Sequence, residues 1–147
     1  MKPKNPATYY PAGKGIQKTI TIRILRKPQD HSINDELQWF AKSLGLFTLR
    51  DKDNTQFRVF IELLKSAKIG APVSSDELAY RLGLSRGTVM HHVNKLLETG
   101  IITTLSRGYL LREPNLPQLL ESIKRDFETA FAQLHAVAEE IDDMLGK

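Results

Sequence analysis

The chain has 147 residues, 41% hydrophobic and 26% charged, with 21 Lys and Arg against 17 Asp and Glu and a formal net charge of +4. That balance excludes a disordered chain and fits one soluble domain with a core of its own. Cysteine is absent, which excludes disulfides, zinc–thiolate sites, iron–sulfur clusters and cysteine nucleophiles.

No apolar run approaches the roughly eighteen residues of a membrane span, and the N-terminus lacks the apolar core of a signal peptide. A cytoplasmic protein with no membrane partner is expected. Charge is uneven along the chain. Residues 1–30 carry Lys2, Lys4, Lys14, Lys18, Arg23, Arg26 and Lys27 against Asp30 alone, whereas residues 113–147 hold three basic and eight acidic residues. Such an asymmetry suggests a polyanion at one end and a different partner at the other.

In chain order, residues 1–17 read as a flexible basic arm, with three prolines and no periodicity. Lys18–Leu25 alternates, Ile20, Ile22 and Ile24 on one face and Thr19, Thr21 and Arg23 on the other, which predicts a β-strand. Ser32 caps a helix carrying Ile33, Leu37, Phe40, Ala41 and Leu44 on one side, with Gly45 at its end. Trp39 and Phe40 are expected in the core. A second helix opens at Asp51–Asn54 and buries Phe57, Phe60, Ile61, Leu64 and Ala67. Ser74-Ser-Asp-Glu77 has the pattern of a capping box, starting a short helix through Leu82 with Leu78, Ala79 and Leu82 inward. After Gly83-Leu84, Ser85 caps a further helix whose inward residues are Val89, Val93, Leu96 and Leu97, and Gly100 stops it. Ile101–Leu105 and Tyr109–Arg112 then form a hairpin around Ser106-Arg107-Gly108, with the glycine supplying the turn conformation.

Asn115 to Leu145 is one long helix pattern with Pro117 in its first turn. Leu116, Leu120, Ile123, Phe127, Ala130, Leu134, Val137, Ile141 and Met144 alternate steps of four and three, a heptad seam. An unbroken seam of that length predicts a coiled-coil homodimer with Leu120, Ile123, Phe127, Leu134, Val137 and Ile141 at the interface. Burial against the chain's own residues 33–64 is the other way to cover it.

Two helices joined by a short glycine-containing turn describe a helix-turn-helix, and the hairpin after them is a wing. Residues 57–112, with DELAYRLGLSRGTVMHHVNKLLETGII at their centre, resemble the winged helix-turn-helix of ArsR- and MarR-like transcriptional regulators. The resemblance implies binding to double-stranded DNA. The expected fold is mainly α, of α+β type. A winged helix-turn-helix domain (51–112) follows a strand-and-helix extension (18–50) and precedes a long C-terminal dimerisation helix (113–147).

In that fold the second helix of the motif, Ser85–Thr99, enters the major groove and its first turns meet base edges. Arg86 is suited to a bidentate pair with guanine and Asn94 to adenine. Ser85, Thr88 and the free N–H groups beside them suit phosphate, Gly87 lets the backbone approach closely, and His91 and Lys95 continue the outward side. His92, beside Val89 and Val93, packs at the core edge instead. Arg107 sits where the resemblance places a wing arginine in the minor groove.

Each of these residues also has an ordinary structural role available, as a helix cap or a solvated surface side chain. His135, Glu139 and Asp142 share a helix face, which an exposed polar surface explains as well as a metal does. No nucleophile motif and no telling histidine–carboxylate pair occurs, so no catalysis, metal or cofactor is expected. The competing reading is a winged-helix protein–protein module within a larger assembly.

Overall fold

The computed structural model describes residues 18–29, 31–46 and 54–146. The arm expected over residues 1–17 and the opening of the second helix at Asp51 to Asp53 lie outside the described residues. The elements are α1 (Ile33–Ser43), α2 (Thr55–Ile69), α3 (Ser75–Leu82), α4 (Arg86–Thr99), β1 (Ile102–Leu105), β2 (Gly108–Leu111) and α5 (Leu116–Met144). They divide into two compact units, residues 1–112 and 113–147. The protein is mostly helical, with one small antiparallel hairpin and a long last helix.

Local chemistry sets the helix starts. Ser32, Ser74 and Ser85 each accept a hydrogen bond through Oγ from the backbone N–H three residues on, and Asn115 does so through Oδ1. Each bond satisfies a donor that the helix itself leaves unpaired, worth about 1 kcal/mol. The box expected at Ser74 closes in one direction only. The Glu77 carboxylate turns instead to Arg81, whose Nε donates at 3.0 Å. Gly83 and Gly100 end α3 and α4 in the left-handed conformation, at φ 65° and 74°.

In the first unit, Val59, Phe60 and Leu63 of α2 meet Leu78 of α3, Val89, Val93 and Leu96 of α4, and Ile101 and Leu111 of the hairpin region in a core closed to solvent. Phe57, Phe60 and Ala67 of α2 are buried as expected, with Thr55, Gln56, Val59, Leu63 and Ser66 beside them, whereas Ile61 and Leu64 are half-buried. The buried face is broader than expected and extends to the side of Val59 and Leu63. That breadth arises because α2 packs against α3, α4 and β2 at once, and so hides a wider face than one seam. Ala79, Leu82 and Leu97 are likewise half-buried. Gln56, buried on this row, lies 3.0 Å through Oε1 from Nδ1 of His92, so the imidazole sits at the core edge with a polar partner. Trp39 and Phe40 are half-buried, and the Trp39 indole N–H donates to the Leu25 carbonyl at 3.3 Å.

The strand expected over Lys18–Leu25 does not form. Ile24 is fully exposed and Ile22 and Leu25 partly so. The backbone instead donates to the last turns of two helices, Thr19 N–H to Glu98 O (2.9 Å) and Arg23 N–H to Ser43 O (2.6 Å). Alternation makes a strand only where a second strand offers a ladder. Here the nearest acceptors are the carbonyls that helix ends leave open.

The hairpin pairs Ile102 with Leu111 and Leu105 with Gly108 across a two-residue turn. The residues with positive φ in that turn are Ser106 (48°) and Arg107 (65°), not Gly108, the conformation that matches the twist of a two-residue hairpin. Gly108 serves a different need. A Cβ there would lie 2.9 Å from Pro72 Cβ and 3.2 Å from both N and O of Val73. The missing side chain lets Val73, between α2 and α3, exchange two backbone hydrogen bonds with Tyr109. The wing is thereby tied to the linker that precedes the motif.

Within the second unit, α5 runs 29 residues from its Asn115 cap, about 43 Å. Leu119, Ser122 and Ile123 are its buried residues. Every residue from Glu128 to Gly146 is exposed.

Candidate nucleic-acid interface

The turn between α3 and α4 spans Gly83 to Ser85 and is braced from α2. Arg58 donates through Nη2 to the Leu82 carbonyl at 2.9 Å. Arg81 of α3 reaches Glu62 of α2 at 3.6 Å, and Lys65 meets the other oxygen of that carboxylate at 3.2 Å. Apolar contact buries Leu78 against α4 on one side, and these polar staples hold the other. Together they fix which face of α4 points outward.

Ser85, Arg86, Gly87, Thr88, His91, Asn94, Lys95 and Arg107 are all exposed. Gly87, Thr88, His91, Asn94 and Lys95 share the side of α4 away from Val89, Val93 and Leu96, which are closed to solvent, and Ser85 and Arg86 are exposed because they stand at the start of the helix. Ser85 Oγ accepts the Thr88 N–H and its hydroxyl donates to Thr88 Oγ1 at 2.8 Å. Thr88 therefore keeps its own hydroxyl hydrogen for an outside acceptor such as a phosphate oxygen. A Cβ at Gly87 would meet nothing within 4 Å. Alanine would favour the helix by up to about 1 kcal/mol, and no neighbour among the described residues asks for glycine.

Arg107 stands at the tip of the wing in the left-handed region, which costs a non-glycine residue roughly 1–2 kcal/mol. The wing is attached to α4 as well as to Val73, since the Tyr109 hydroxyl lies 3.7 Å from Met90 Sδ.

Two exposed residues on α3, Asp76 and Tyr80, escaped the sequence reading. Asp76 holds its Oδ1 3.6 Å from Nε of Arg86. Tyr80, one turn further along, is 86% exposed, and the first helix of such a motif crosses the nucleic-acid backbone. The signal for both was present at the level of periodicity. Asp76 and Tyr80 lie four apart, opposite Leu78, and an aromatic residue on an outward face is unusual enough to mark.

Residues 53–104 match a family model described as a helix-turn-helix domain. The chain carries a helix-turn-helix domain. That match, the order of α3, turn and α4, and the hairpin after them make the fold a winged helix-turn-helix and point to DNA as the partner. No curated protein matches the chain.

Of the six residues expected at a dimer interface, Ile123 is buried and Phe127 half-buried, while Leu120, Leu134, Val137 and Ile141 are 41–65% exposed. His135 Nδ1 lies 3.0 Å from Glu139 Oε1, both side chains in solvent. Among the described residues no group of three or more His, Asp or Glu side chains is placed to hold a metal. Among those residues, too, no helix is long and apolar enough to cross a membrane.

Proposed function

We propose that the protein is a sequence-specific, double-stranded DNA-binding transcriptional regulator of the ArsR/MarR-like kind, working as a homodimer in the cytoplasm and without catalysis. Ser85–Thr99 is the segment that enters the major groove, and the wing over residues 101–112 lies on the minor groove. One observation carries the reading. The first turn and outward face of α4 and the wing tip present Arg86, Thr88, Asn94, Lys95 and Arg107 to solvent, beside a glycine that no neighbour among the described residues requires.

Arg86 discriminates bases through a bidentate contact, Lys95 neutralises a phosphate, and Arg107 reaches into the minor groove. The exposed heptad seam of α5, from Leu134 to Met144, supports pairing with a second copy. In a two-fold dimer the recognition helices would sit about 34 Å apart, one turn of DNA.

Fluorescence anisotropy with duplex DNA across a salt series tests the proposal, with wild type beside Lys95→Ala/Arg107→Ala. Affinity that falls steeply with salt is expected, with a slope for the double variant that is shallower by about one for each phosphate no longer neutralised. Absence of binding at low salt would favour the protein-docking module instead. The same exposed face of α5 would then be the surface to probe for a partner.

A further inference from the structure

We propose that Asp76 sets the base selectivity of Arg86, and this rests on the DNA reading above. Asp76 is the second residue of α3 and Arg86 the first of α4, so the pair joins the starts of the two helices of the motif. Oδ1 and Nε are 3.6 Å apart, and the two side chains are 76% and 72% exposed. An ion pair this open is weak and readily exchanged. The other acids near it are matched elsewhere, Glu77 by Arg81 and Glu62 by Arg81 and Lys65. Among the described residues, Asp76 meets Arg86 alone.

A carboxylate beside a surface that receives a polyanion lowers affinity for every sequence, so its placement against Arg86 has to be judged by what it does to discrimination. Non-specific binding is made almost wholly of phosphate contacts. For Arg86 to take a phosphate oxygen, it must give up one anionic partner for another while Asp76 repels the backbone, and little is gained. A guanine edge is neutral, is not repelled, and offers two acceptors to the guanidinium fork. The carboxylate therefore penalises the phosphate-bound state of Arg86 more than the base-bound state. It widens the ratio between specific and non-specific affinity, the quantity on which operator finding depends. Asp76 acts through Arg86 and is a positioning residue.

The test uses the full chain, a duplex selected from a random pool for tight binding, and a scrambled duplex of the same length. Asp76→Asn is expected to tighten binding to the scrambled duplex by about three- to fivefold and to change the selected duplex less, so that the ratio falls. Its salt slope on scrambled DNA steepens by about one. Asp76→Glu, which keeps the charge, holds the wild-type ratio. In an Arg86→Ala background Asp76→Asn no longer alters the ratio.

An equal gain on both duplexes, or the same change of ratio without Arg86, means that the carboxylate acts by its own field, and overturns the proposal. A lowered melting temperature with an unchanged ratio shows only a staple between α3 and α4, and overturns it too. Wild type that binds neither duplex at low salt overturns the DNA reading and this inference with it. Wild type that discriminates, beside an Asp76→Asn variant that discriminates equally, overturns this inference alone.

Discussion

Helix α4 and helix α5 follow the same rule of spacing and end in different surroundings. In α4 the apolar residues three and four apart, Val89, Val93 and Leu96, are wholly closed to solvent, and His91, Asn94 and Lys95 between them face out. In α5 the same spacing continues past Phe127, but Leu134 is 65% exposed, Val137 49% and Met144 78%. Periodicity thus marks a face that prefers burial, and does not say whether the chain supplies the cover. A short helix among three neighbours has its cover at hand. A helix of 29 residues extends far beyond what one turn of packing can hide.

The largest expected effect separates these two kinds of apolar residue. Phe60→Ala, at a position with no solvent access, should cost about 3–5 kcal/mol in chemical denaturation. Leu134→Ala should cost less than about 0.5 kcal/mol in a monomer. In a dimer its cost should instead grow as protein concentration falls toward the dissociation constant, and Leu134→Glu should move the sedimenting species from dimer to monomer. A wild type that is monomeric at high concentration would break the pairing role given to α5.

Gly108→Ala comes next. The added methyl must displace Pro72 or the Val73 backbone, for about 1–3 kcal/mol by urea titration. Loss of hydrogen-exchange protection at Val73 and Tyr109 should accompany it, and unchanged protection would show that the bridge is not what holds the wing.

A smaller effect than that of Gly108→Ala is the most diagnostic of a surface kept for a ligand. Arg107→Gly should stabilise the protein by about 1 kcal/mol, by relieving the left-handed conformation, while weakening binding to duplex DNA. Lower stability in that variant would mean that the arginine serves the wing and not a partner.

Much of the motif was legible because its determinants are local. Ser32, Ser74, Ser85 and Asn115 announce helix starts by side chains that reach three residues ahead, and Gly83 and Gly100 announce ends by a conformation few other residues adopt. The outward row from Gly87 to Lys95 follows from the helical period once Val89, Val93 and Leu96 are inward. The misreadings are all non-local. Lys18–Leu25 alternates like a strand, yet its N–H groups find carbonyls at the ends of α1 and α4. The α2 face widens to take in Val59 and Leu63 because three neighbours share that helix. Gly108 looked like a turn residue and is a point of close approach. Asp76 and Tyr80 passed as ordinary surface until the fold set them beside Arg86 and in solvent.

The sequence by itself determined where five helices and a hairpin lie, and that one pair of those helices forms a helix-turn-helix with a basic outward row. Hydrogen bonds and rotamer preferences within a turn or two of the chain suffice for that. Only the tertiary structure decided which groups meet across α3 and α4, why Gly108 has no side chain, and that the last seam stands in solvent. These depend on the distance between segments far apart in the chain, which no local preference encodes.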